Sequence, residues 1–155
     1  MPDPIQETLV RWEQTVLKIK AILRGLVEAL NTDTCTPDNP LVSEAYDADF
    51  AADKSPYFYQ KSAKTLQEYI AGMNELVKSN PGFFVNIISI DVNYLDETHA
   101  EAMSQIEIHN APAGTRRQVM GIFRFHLKED KWLCFTTEAI SGFDAEERPG
   151  FAPGV

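Results

Sequence analysis

The chain has 155 residues, 44% hydrophobic and 24% charged, which suits one folded domain and excludes a disordered chain. A net charge of −9 repels polyphosphate and argues against nucleic acid as a partner. Two cysteines do not make a disulfide framework at this length, and no stretch reads as a signal peptide or a bilayer span. The expectation is a single cytoplasmic domain over 1–155 with free thiols.

Asp3-Pro4-Ile5-Gln6 is a helix start, with Asp3 as cap and proline at the first helical position. Ile5, Leu9, Trp12, Val16, Ile19, Leu23, Leu26 and Leu30 then alternate four- and three-residue steps, one continuous helical stripe. That spacing also fits a coiled coil. Val10, Leu17, Ile22 and Val27 widen the stripe and favour a helix lying across a sheet. A turn-rich break follows, then a short second helix from Pro40 to Phe50. Phe50 to Gln60 reads as a hairpin with Tyr57, Phe58 and Tyr59 on its return arm. Thr65-Leu66-Gln67-Glu68 is a capping box opening a third helix, stopped by Asn80-Pro81-Gly82.

Four strands follow: Phe83–Leu95, Thr98–His109, Arg116–Leu127 and Lys131–Ser141, joined by turns at Asp96-Glu97, Asn110–Thr115 and Glu129-Asp130. Residues 143–155 read as a tail lying on the surface or closing over something. Short turns set the register. They pair Ala102 with Phe123, Ser104 with Gly121, Glu101 with Arg124, and Phe125 with Cys134. On the outer strands they pair Phe123 with Thr136, Gly121 with Glu138, Ser89 with Ser104, and Asp91 with Ala102. One face then carries the small and polar residues Ser89, Asp91, Ser104, Gly121, Thr136 and Glu138 among Phe123, Phe125 and Trp132. It is expected to face the helices and enclose a pocket. The other face has an apolar centre with a charged rim and suits a homodimer interface. His99, His109 and His126 all fall on it.

Helices, a hairpin, a third helix and a long antiparallel meander resemble, in that order, the nuclear transport factor 2-like superfamily. Asp130-Lys131-Trp132-Leu133-Cys134 is similar to the turn opening the last strand of SnoaL-like members. Tyr46-Asp47-Ala48-Asp49-Phe50 is similar to their acidic-aromatic segment. The resemblance implies an α+β fold: a cone-shaped, curved antiparallel sheet packed on a long N-terminal helix and two further helices. It implies a hydrophobic pocket and a homodimer through the outer sheet face. Members include polyketide cyclases, isomerases, dehydratases and non-catalytic binding proteins, and the general flavour of this chain is similar to fungal natural-product members. Fold alone does not decide among them.

The expected chemistry is proton transfer without a cofactor, for isomerisation, cyclisation or dehydration of a hydrophobic natural-product intermediate. Glu138, desolvated in the pocket, is the candidate general acid or base, with Asp91 or Asp49 as its partner. Tyr46 is placed to polarise a carbonyl. Ser89, Ser104 and Thr136 are candidate hydrogen-bonding groups to substrate, and Tyr57, Phe123, Phe125 and Trp132 candidate walls. No histidines and carboxylates converge with metal spacing, so no metal site is expected. Arg116-Arg117 reads as a solvated basic pair beside a loop. The alternative is a non-catalytic ligand-binding or dimeric assembly protein of the same fold. A protein-docking module is a third reading, for which residues 143–151 are the candidate patch.

Overall fold

The structure, a computed structural model, describes residues 3–52, 56 and 62–140. Helix α1 (Pro4–Asn31) opens on Asp3, whose carboxylate accepts the Ile5 amide at 3.0 Å, with proline in the first turn. Helix α2 (Pro40–Ser43) is a single turn, and α3 spans Leu66–Ser79. Thr65 caps α3 by accepting the Glu68 amide at 3.1 Å, and Glu68 reaches back to the Lys64 amide at 2.8 Å. Strands β1 (Phe84–Asp96), β2 (His99–His109), β3 (Arg116–Lys128) and β4 (Lys131–Ile140) form one antiparallel sheet in sequence order. This is the expected α+β architecture.

The core lies between the inner face of the sheet and the helices. Ile19, Leu23, Leu26 and Leu30 of α1, with Tyr69, Ile70 and Met73 of α3, are buried against Val85, Ile106, Ile108, Phe123 and Phe125. The first half of the α1 stripe does not join them: Ile5, Leu9 and Trp12 are exposed. Four strands span only about 15–20 Å, whereas a helix of 28 residues is about 42 Å long, so α1 overshoots its sheet.

The second helix is shorter than the pattern suggests. The chain leaves it after Ser43 and runs along the edge of β4: Cys134 donates its amide to Ala45, and Asp47 and Ala51 donate theirs to Cys134 and Phe135. Pairing with an open strand edge outcompetes another helical turn. An antiparallel bridge joins Ala52 to Ala63, and the expected return arm with Tyr57 lies outside the described residues.

The central β2–β3 register is as expected, with Glu101 opposite Arg124 and Ser104 opposite Gly121. Both outer strands carry β-bulges, two in β1 and one in β4. The β1–β2 turn falls at Glu97-Thr98 rather than Asp96-Glu97, with Leu95 as an extra residue beside it, so Ile90 faces Ser104 while Ser89 and Asp91 face Gln105 and Met103. A second extra residue, Ile88, restores the expected pairing for Phe84–Ile87. Phe135 is the extra residue of β4, so Thr137 faces Phe123 while Thr136 and Glu138 face Arg124 and Ile122. A one-residue shift exchanges the faces of everything beyond it.

Candidate ligand-binding interior

Residues brought to the inner face by this register form three cross-strand rows. Ala100, Phe125 and Cys134 form the first, Ala102, Phe123 and Thr137 the second, and Ser104, Gly121 and Ala139 the third. Over them sits an aromatic cluster: Tyr46 meets Phe50 edge-on at 5.0 Å and Tyr69 at 5.7 Å, and Phe50 meets Tyr69 at 4.6 Å. Pro56 presses on Gly121, where an added methyl would come within 3.1 Å of it. Trp132 sits at one end of the inner face beside Leu127. It lines an open cavity of about 330 Å³ with Lys18, Ala21, Ile22, Glu44, Asp130 and Lys131.

Of the candidate site residues, Tyr46, Ser104, Phe123, Phe125 and Trp132 are buried on this side. Glu138, Asp91, Ser89 and Thr136 are on the opposite face, and the register shifts put them there. Glu138, 44% exposed, accepts a hydrogen bond from Arg124 at 3.0 Å, and Arg124 also reaches Glu101 at 3.2 Å. Those two carboxylates hold the guanidinium above its ordinary pKa, the Glu138 hydrogen bond foremost. Asp91 is exposed. Asp49 is exposed too, in the turn after the β4-edge segment, and its amide donates to Asp47 at 2.8 Å. Among the described inner-face residues no carboxylate remains, so the expected pair of inward acids is not assembled.

The polar groups that do face inward have distinct roles. Ser104 Oγ donates to the Ser89 carbonyl at 3.0 Å. The Ile88 bulge disturbs the ladder at this carbonyl, so the serine completes the backbone pairing. Thr137 is 1% exposed and its Oγ1 has no hydrogen-bond partner among the described residues. Sequence reasoning missed it because the unshifted register puts Thr136 inward instead. Arg117, expected to be solvated beside the loop, is buried instead. It is the second residue of β3 and only 4% exposed, in phase with the inward Val119 and Gly121. That alternation was the available signal.

Two thiols complete the interior. Burial pushes Cys35 up to about 11, and pushes Cys134 up as well. Neither is a nucleophile near neutral pH. On the outer face each histidine is held by a carboxylate: His99 by Asp96 at 3.1 Å, His109 by Glu107 at 2.7 Å, and His126 by Asp47 at 2.5 Å. The described residues contain no cluster of three His, Cys, Asp or Glu side chains able to hold a metal ion. No helix among them is long and apolar enough to cross a membrane.

No family model and no curated protein matches the chain. Solved structures do. A nuclear transport factor 2-like protein with a cystatin-like fold from Novosphingobium aromaticivorans superposes with a TM-score of 0.70 at 14% identity, over 95% of this chain and 96% of that one. An uncharacterised protein with a cystatin-like fold from Caulobacter vibrioides gives 0.67 at 11% identity, over 80% and 87%. A nuclear transport factor 2-like protein of unknown function from Pseudomonas putida gives 0.64 at 14% identity, over 86% and 92%. At these identities the likeness is one of fold: the nuclear transport factor 2-like, cystatin-like cone.

Proposed function

We propose that this protein binds a hydrophobic small molecule of natural-product type in its cone, as a non-catalytic carrier or receptor. Phe123, Phe125, Tyr46 and Tyr69, buried together on the inner side, would form its apolar walls. The observation that carries the reading is the Thr137 hydroxyl, fully buried beside Phe123 and without a partner among the described residues. A buried hydroxyl left unpaired costs about 1–3 kcal/mol, and a ligand carbonyl or hydroxyl placed there recovers it. The acid/base alternative needs an inward carboxylate, and Glu138 and Asp91 lie on the other face. The apolar centre of that outer face, Met103, Met120, Ile122, Leu133 and Phe135, rimmed by charge, supports a homodimer packed through the sheet.

The test is mass spectrometry of small molecules that co-purify with wild type, Thr137→Val and Glu138→Gln. The expected result is one molecule, chemically identical in wild type and Glu138→Gln. Its affinity for Thr137→Val should be about 2–12-fold weaker, the worth of one neutral hydrogen bond. A molecule that differs in structure between wild type and Glu138→Gln would restore the enzymatic reading. Equal affinity for Thr137→Val would remove the threonine from the site.

A further inference from the structure

The stripe that seats Ile19, Leu23, Leu26 and Leu30 on the sheet continues with unchanged spacing through Trp12, Leu9 and Ile5. There it lies in water: Ile5 is 70% exposed and Leu9 53%. On its flank Leu17 is 68% exposed and Val10 49%. Each large apolar side chain left in water forgoes the stabilisation that burial would give it. A helix of a few turns is marginal without a packing partner. Steps of four and three are also the spacing that a partner helix reads, since they keep the seam facing one side.

We propose that the N-terminal half of α1 pairs antiparallel with the same segment of a second copy of this chain. Charge selects that occupant. Between residues 3 and 20 the acids Asp3, Glu7 and Glu13 balance the bases Arg11, Lys18 and Lys20. The segment is therefore neutral in a chain of net charge −9, so two copies approach here without the repulsion that opposes contact elsewhere. The order along the axis selects orientation. Acids dominate the first part and bases the last, so an antiparallel pair sets acid end against basic end. A parallel pair sets like against like. The helix dipoles favour the antiparallel arrangement too. Centring the pair near Trp12 brings Asp3 level with Lys20 of the second copy, and Arg11 level with its Glu13.

Disulfide trapping of the full-length protein tests this. Cys35 and Cys134 are the only native cysteines and both are buried, so an introduced surface thiol is the accessible one. Trp12→Cys is expected to give a covalent dimer on mild oxidation. Ile5→Cys is expected not to, because the antiparallel pair holds its two copies about 20 Å apart. Efficient cross-linking of Ile5→Cys, the parallel outcome, would overturn the proposal, as would failure of both. Sedimentation of an Ile5→Glu/Leu9→Glu double variant, checked for native helicity, reads the same interface without the tryptophan being changed. At least a tenfold weakening of the α1-mediated step is expected, read as loss of the tetramer where the sheet-packed dimer is also present and of the dimer where it is not; an unchanged constant for that step overturns the proposal.

Discussion

Asp47, on the segment running along β4, accepts a hydrogen bond from His126 Nε2 of β3 at 2.5 Å while its other oxygen accepts the Asp49 amide at 2.8 Å. It is 2% exposed, with Lys128 Nζ 3.7 Å away. The Asp49 amide does most to hold its pKa below the usual carboxylate range, with help from His126 and Lys128 against the opposing effect of burial. The pair ties the α2–α3 connection to the sheet.

Asp47→Asn is therefore expected to cost about 1–3 kcal/mol at neutral pH. The folded carboxyl binds its proton less readily than the unfolded one. Its stabilisation is complete above the unfolded value of about 4 and lost as pH falls through the lower folded value. Urea midpoints of wild type and variant should converge in that acid window. A gap of constant size from pH 7 down to pH 2 would show that the charge of Asp47 is not the source.

Glu138→Gln breaks one arm of a half-exposed ion pair whose Arg124 keeps its bond to Glu101. The loss is expected to be at most about 1 kcal/mol, smaller in high salt. Chemical denaturation at low and high ionic strength measures it.

Gly121→Ala puts a methyl 2.8 Å from Phe123 Cε2 and 3.1 Å from Pro56. Overpacking of this kind costs about 1–3 kcal/mol. Thermal unfolding is expected to show it, and an unchanged midpoint would mean that Pro56 and the ring move aside freely.

Glu129 and Asp130 form the β3–β4 turn with φ of 52° and 63°, the left-handed region that glycine and asparagine tolerate. Glu129→Asn with Asp130→Gly is expected to stabilise the protein by about 0.5–1 kcal/mol, read as a higher unfolding midpoint.

Cys35 and Cys134, both buried and raised in pKa, are expected to be inert to a thiol reagent at pH 7.5 in the folded protein and to react fully in denaturant. Rapid labelling of the native protein would mean that the interior opens.

Helix starts, the β3–β4 turn and the central register were legible because each rests on local chemistry: the Asp3 and Thr65 caps, the two-residue turn at Glu129, and the Glu101–Arg124 pairing. The β1–β2 turn was not: it falls at Glu97-Thr98, one residue beyond the expected Asp96-Glu97. Nor were the outer strands. Bulges often announce themselves by glycine, but here the extra residues are Ile88, Leu95 and Phe135, with nothing in their side chains to mark them. Alternation alone carried Glu138, Asp91, Ser89 and Thr136 to the wrong face, and hid Thr137. Ser104, Phe123, Phe125 and Trp132 survived because they precede the bulges or lie on the unshifted central strands. The length of the α1 stripe was plain from its spacing, but the width of the sheet beneath it was not.

Those insertions also bear on shape. A bulge bends its own strand and increases its twist, so bulges on both flanks of a four-stranded sheet add to its curvature. The same stroke that rolls the sheet into a cup expels its acidic side chains to the rim and back. Any homologue lacking one of these irregularities would have a flatter sheet with a charged inner face.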